Sequence, residues 1–250
     1  MRFTGIDLGS RSIKLITVEE DGRIVEQRQI ATAFAPLENS KKLLTESTCD
    51  HIQATGYGRH LFKNEFDVPV VSEILAHGAA AMSLFPQARS VLDIGGQDTK
   101  AICIEPGKGV KKFEMNDRCA AGTGKFLEVM ANAFDKDIAE FGPFALSGTT
   151  PVKISNMCTV FAESEATSMM ARGQEPVNIA LGLHQSIASR SVNMLKRINA
   201  VSPVVFCGGV ARNQCVCRML SELLGEPVLI PEAPQFTGAL GAALLIAEKK

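Results

Sequence analysis

The chain has 250 residues, 46% of them hydrophobic and 21% charged, with a net charge of −1 from 26 basic and 27 acidic side chains. That balance excludes intrinsic disorder and collagen-like fibres, and it builds no basic field for nucleic acid. No apolar run approaches the roughly 20 residues that a bilayer-spanning helix needs.

Three stretches open the chain as predicted strands: Phe3–Leu8, Ser12–Glu19 and Arg23–Thr32. Asp21-Gly22, between the last two, is a strong hairpin signal. His51–Thr55 reads as a fourth strand and Gly56-Tyr57-Gly58 as a turn. A helix is predicted over Ser72–Phe85, opened by a Ser72 cap and closed before Pro86. The pattern then restarts with strands at Ser90–Ile94, Thr99–Glu105 and Val110–Met115. Helices follow over Gly124–Ala133, Val160–Arg172 and Pro176–Ile198. A strand at Val204–Cys207, a helix over Ala211–Leu224, a strand at Pro227–Ile230 and a helix over Gly238–Glu248 complete the chain. Strand, glycine turn, strand, strand thus occurs twice, near residues 3–30 and 90–115. The expectation is a duplicated α/β fold of mixed sheets covered by helices. The last helix is expected to return to the first half. This gives one unit of residues 1–87 plus 238–250 and a second of residues 88–237, joined by a hinge.

Three glycine turns follow apolar strands. They are Asp7-Leu8-Gly9-Ser10-Arg11-Ser12, Asp93-Ile94-Gly95-Gly96-Gln97-Asp98-Thr99 and Cys207-Gly208-Gly209-Val210-Ala211-Arg212-Asn213. Glycine allows positive φ and close approach of a ligand, and consecutive N–H groups form an anion nest. Hydroxyls of Ser10, Ser12 and Thr99 can add donors to phosphate oxygens. Asp7 and Asp93 at strand ends can hold hydrated Mg²⁺. Each turn alone fits an ordinary tight turn equally well. In this order, with the duplication, the three resemble the nucleotide signature of the actin, sugar-kinase and heat-shock-chaperone ATPase superfamily. The resemblance implies two ribonuclease-H-like subdomains with ATP or ADP in the cleft between them. Phosphate and metal would lie at the first two turns, and adenosine at Gly208, Gly209 and Asn213. Gln97 is expected to orient the attacking water, as glutamine does in other nucleotide hydrolases. Asp98 is an alternative orienter or general base, and Asp7 completes the expected catalytic group.

Seven cysteines, an odd number without an export signal, argue against a disulfide framework. The chain is read as cytoplasmic. Cys119 and Cys158 each stand ahead of a predicted helix, where N–H groups and the helix dipole favour a thiolate. A cubane cluster needs four thiolates, and two chains across a two-fold axis would supply them. Burial as small apolar side chains is the plainer alternative. The surrounding sequences are Cys119-Ala120-Ala121-Gly122-Thr123-Gly124-Lys125-Phe126 and Cys158-Thr159-Val160-Phe161-Ala162-Glu163-Ser164-Glu165. They closely resemble the ATP-dependent activators of 2-hydroxyacyl-CoA dehydratases, in the BadF-BadG-BcrA-BcrD ATPase family. That resemblance implies a homodimer sharing one [4Fe–4S] cluster, with Cys119 and Cys158 of each chain as ligands. It implies an iron–sulfur dehydratase or reductase as electron acceptor and an upstream ferredoxin or flavodoxin as donor. Neither nucleic acid nor membrane is an expected partner.

The remaining groups draw plainer expectations. Lys14 and Lys100 are read as solvated faces, His77 as helix packing, Cys207 as packed, and Cys49 and Cys103 as core strand residues. Cys215 and Cys217, two apart on a helix, point to different sides. Glu163 and Glu165 are read as favourable charge near a helix start. A small-molecule kinase of the same superfamily, and a nucleotide-switched binding module without redox chemistry, stand as alternatives.

Overall fold

The computed structural model describes residues 1–155 and 158–249. The first half contains β1 (Arg2–Leu8), β2 (Ser12–Glu19), β3 (Ile24–Ala31), α1 (Pro36–Thr45), β4 (His51–Thr55), α2 (Arg59–Phe66) and α3 (Glu73–Leu84). Then come β5 (Ser90–Ile94), β6 (Thr99–Glu105), β7 (Gly109–Asn116), α4 (Gly124–Ala133), α5 (Ile138–Leu146), α6 (Thr159–Ala171) and α7 (Pro176–Arg197). The chain continues through β8 (Val204–Cys207), α8 (Gln214–Leu224) and α9 (Thr237–Ala247). Among the described residues no helix is long and apolar enough to cross a membrane.

The expected duplication is present in the sheets. One has strand order β3-β2-β1-β4 and the other β7-β6-β5-β8. In each, the first strand pairs antiparallel with its hairpin partner and parallel with the fourth strand. The repeat holds residue by residue. Asp7 lies between Lys14 and Thr55, and Asp93 lies between Lys100 and Cys207.

Helix α3 binds the two sheets together, and α9 clamps it to the first. The glycine- and alanine-rich α9 lies flush on β1 and α3. A Cβ on Gly5 would sit 1.9 Å from Ala239 O, and one on Gly241 would sit 1.7 Å from Ala76 O. Helix α3 divides its buried face. Ala80 packs with Phe3, Ile16 and α9, whereas Ala81 packs with Val91 and Ile102 of the second sheet. The larger core lies in the second half, around Phe126, Phe141, Leu183 and Phe206.

Several local readings need correction. The predicted helix over Ala211–Leu224 is broken. A 3-10 turn spans Gly209–Arg212, and Asn213 then caps α8 by accepting from Val216 N–H. The predicted strand Pro227–Ile230 is reduced to one bridge, Val205 with Leu229. Pro227 and Pro231 bracket it and supply no ladder N–H. Helices α1, α2 and α5 were absent from the sequence reading. Helix α1 has Pro36 in its first turn, α2 has only eight residues, and α5 carries Pro143 inside it.

Candidate functional site

The second sheet builds a buried charge cluster. The hairpin register sets Lys100 opposite Asp93, and the parallel strand β8 sets Cys207 on its other side. Helix α3, capped by Ser72 Oγ accepting from Leu75 N–H, lays Glu73 and His77 over the same strand end. The Lys100 ammonium is 2.7 Å from Asp98 Oδ2, 3.1 Å from Asp93 Oδ2 and 3.3 Å from Glu73 Oε1. Lys100 is therefore no solvated face; its side chain is 1% exposed. His77 does more than pack. Its Nε2 lies 3.4 Å from Asp93 Oδ2, and its Nδ1 lies 2.9 Å from Thr237 Oγ1. The Thr237 hydroxyl donates to Pro234 O, which leaves it to accept from His77 Nδ1–H.

Burial alone would raise the Asp93 carboxyl, but the His77 and Lys100 charges outweigh it and hold the group below the ordinary carboxylate range. For Glu73 the balance goes the other way: burial, with Asp7 and Asp98 nearby, raises its pKa despite Lys100. Burial works against the Lys100 ammonium, yet Asp93, Glu73 and Asp98 raise its pKa. The Cys207 thiol is pushed well up by burial and by Asp93, so the expected packed role stands. His77, Asp93 and Cys207 offer donor atoms within 4.8 Å of one another, a set that suits a zinc-like ion, though Lys100 already engages Asp93.

The first sheet repeats the pair in a more open form. Lys14 Nζ is 3.4 Å from Asp7 Oδ2 and 3.0 Å from the Cβ position of Gly9. Lys14 thus sits at the first glycine turn rather than on the solvated face expected. Asp7 Oδ1 and the register neighbour Thr55 Oγ1 are buried without a hydrogen-bond partner. Two such oxygens on register-paired residues fit a hydrated cation.

The three turns converge. A Cβ on Gly96 would lie 3.2 Å from Ser10 Oγ and 2.6 Å from Arg11 Cγ. Gly208, at φ +84°, meets Ile94 O and Asp93 Oδ1 at 2.4 and 2.5 Å from its Cβ position. Gly9, Ser10, Ser12 and Gly95 are partly exposed, and Gln97 and Gly209 are exposed. Asp98 is drawn back onto Lys100. Two expected ligand side chains are already engaged. Thr99 Oγ1 donates to Gly122 O at 2.8 Å, so its proton is not free for phosphate. Asn213 spends its Oδ1 on the α8 cap and donates its Nδ2–H to His184 Nε2.

The Thr99 bond links the second turn to the Cys119 loop. Gly124 N–H and Lys125 N–H also donate to Gly95 O and Gly96 O, each at 2.8 Å. The head of α4 therefore hangs from the second glycine turn. Glu128 of α4 pairs with Arg11 of the first turn.

Cys119 and Cys158 are both exposed. Cys158 is the residue that caps α6, as expected. Cys119 lies five residues ahead of α4, not at its head, and Asn116 Nδ2–H holds its carbonyl at 2.9 Å. Glu165 accepts from Ser155 N–H on the segment leading to Cys158. Asn156 and Met157 of that motif lie outside the described residues. Cys49 is exposed ahead of β4 and is not the core strand residue expected, whereas Cys103 is half-buried on β6 and packs against the main core. Cys215 is buried and Cys217 half-buried on α8.

Residues 4–246 match the BadF/BadG/BcrA/BcrD ATPase family. The chain is 40% identical over 252 residues to the activator of lactoyl-CoA dehydratase from Anaerotignum propionicum, covering 98% of this chain and 96% of that protein. It superposes on component A of (R)-2-hydroxyglutaryl-CoA dehydratase from Acidaminococcus fermentans with TM-score 0.92 and 36% identity, over 100% of this chain and 98% of that one. It matches the Clostridium difficile activator of 2-hydroxyisocaproyl-CoA dehydratase, solved with bound ADPNP, with TM-score 0.90 and 35% identity, over 100% and 95%. A ROK-family glucokinase from Streptomyces griseus shares the fold at 16% identity, with TM-score 0.60 over 98% of this chain and 99% of that one.

Proposed function

The chain belongs to the BadF/BadG/BcrA/BcrD ATPase family, and from that premise we propose that it is an ATP-hydrolysing activator that delivers a low-potential electron to a partner dehydratase or reductase. The observation that carries the reading is the suspension of the Cys119 loop from the second phosphate turn. A ligand gripping that turn pulls on the segment that bears the thiol.

Gly9, Ser10, Ser12, Gly95 and Gly96 would hold the phosphates, with Lys14 as a cation beside the first turn. Asp7 would hold Mg²⁺, which its unpartnered Oδ1 supports, whereas Asp93, the other expected ligand, is already engaged by the Lys100 ammonium. Gln97, exposed at the tip of its turn, would orient water. Gly208, Gly209 and the backbone of Asn213 would line the adenosine. Residues 1–87 with 238–250 would move as one body and residues 88–237 as the other. The nucleotide must favour one arrangement of these bodies to drive anything.

Cys119 and Cys158, both exposed, fit as the two ligands that each chain would give to a [4Fe–4S] cluster shared by a homodimer. When bound, that cluster supplies one-electron redox chemistry. A ferredoxin or flavodoxin would refill it, and an iron–sulfur enzyme would receive the electron.

The test is anaerobic purification, with iron, sulfide and native mass measured on one sample. About four irons per dimer are expected. Cys119→Ala or Cys158→Ala should remove the iron and the transfer to an acceptor while nucleotide still binds. A folded, iron-free monomer after anaerobic reconstitution would overturn the proposal, and a phosphorylated product would then point to a kinase.

A further inference from the structure

Each half of the molecule carries the same device, an aspartate and, seven residues later, a lysine opposite it across a hairpin. The two copies have diverged. Lys14 reaches one carboxylate, Asp7, and keeps 14% of its side chain exposed at the first turn. Lys100 is sealed in and has three carboxylate oxygens within 3.3 Å.

An ammonium is a compact charge with three donors and no acceptor. Glu73, Asp93 and Asp98 engage it from α3, β5 and the second turn, one oxygen each. Three carboxylates so close cannot stay charged together in a buried site without a cation among them. The other charges nearby do not fill that role. His77 lies 3.4 Å from Asp93 and acts on Glu73 only at longer range, and Lys14 acts on Asp93 from the first half, also at longer range; neither sits among the three carboxylates. Asp7 adds negative charge near Glu73.

We infer that Lys100 is a built-in cation, whose ammonium fills the position between Glu73, Asp93 and Asp98 that a bound metal or alkali ion would otherwise take. The second half then carries a fixed cation. The first half, with Asp7 Oδ1 unpartnered, is left for an exchangeable one. A fixed charge needs no ion from solution and cannot leave with product. It also keeps the second turn's aspartates from collecting a metal before nucleotide arrives. That last consequence rests on the nucleotide-cleft reading above; the placement of the cation does not.

The test uses the full-length protein with its native complement, without nucleotide, and Mn²⁺ as the probe. Lys100→Met keeps chain length and removes the charge. Free Mn²⁺ followed by its magnetic resonance signal should show one more ion taken up per chain by the variant than by wild type, which keeps only the Asp7 position. Its Tm should rise more steeply with added Mn²⁺ than the wild-type Tm does. A lysine that is merely structural predicts a lower Tm with no Mn²⁺ uptake and no Mn²⁺ dependence beyond those of wild type, and that result overturns the inference. Equal Mn²⁺ uptake by wild type and variant overturns it too. If Lys100→Met does not fold, Asp98→Asn is added to remove one buried negative charge. The double variant should still show a steeper Mn²⁺ dependence of Tm than wild type, and an equal dependence would decide against the fixed cation. Because no ATP hydrolysis or iron is measured, failure here is distinguishable from failure of the activator reading.

Discussion

The His184 imidazole is buried against Phe141, donates Nδ1–H to Ala180 O at 2.8 Å and accepts from Asn213 Nδ2–H at 3.1 Å. Burial pushes its pKa down to about 4 from an ordinary 6.5. Between those values the unfolded chain binds a proton that the folded protein refuses. Stability present above the unfolded pKa is therefore lost as pH falls toward the folded one, roughly 3 kcal/mol in all. Urea unfolding of the apoprotein across that window should show the loss in wild type and a shallower pH dependence in His184→Gln. Equal slopes would reject the assignment. At this scale the sequence was legible where a residue's neighbours are local in the chain. The Ser72 cap, the three glycine turns and the helix-capping position of Cys158 are local features. Lys100 and His77 were misread because their partners come from other elements. The pairing of Asp93 with Lys100 depends on hairpin register, and His77 meets Asp93 only through the packing of α3.

Packing of α9 against α3 and β1 has almost no slack. A side chain at Gly241 would drive its Cβ into the Ala76 carbonyl. Gly241→Val should destabilise the protein by about 1–3 kcal/mol or more, because overpacked backbone contacts cannot relax cheaply. Thermal unfolding checks this, and an unchanged Tm would mean that α9 can shift. The elements themselves were readable where glycine, proline or alternation punctuated them. Eight strands were found at or near their observed limits. Helices α1, α2 and α5 escaped because each is short and two contain proline. The break before α8 escaped because Asn213 looks helical until its side chain is seen to cap.

Over the whole molecule, the repeat in strand order is complete while the chemistry of the halves is not. The turn pattern announced the duplication. The roles of the cysteines rested on resemblance, since spacing alone could not place Cys119 near Cys158 in space. The halves are joined through α3, with Glu73 and His77 reaching Lys100 and Asp93, and through the ion pair from Arg11 to Glu128.

The three hydrogen bonds between the second turn and the Cys119 segment have a thermodynamic consequence. Coupling between two sites is reciprocal, so whatever factor nucleotide applies to the cysteine site, that site applies to nucleotide affinity. On the proposed reading, the occupant and charge at Cys119 would then act on nucleotide affinity as well as answer to it. Nucleotide affinity should differ between wild type and Cys119→Ser, measured by calorimetry on the same preparation, and cutting the shared bond with Thr99→Val should shrink that difference. The protein would sense, through the grip on its nucleotide, whether it is loaded.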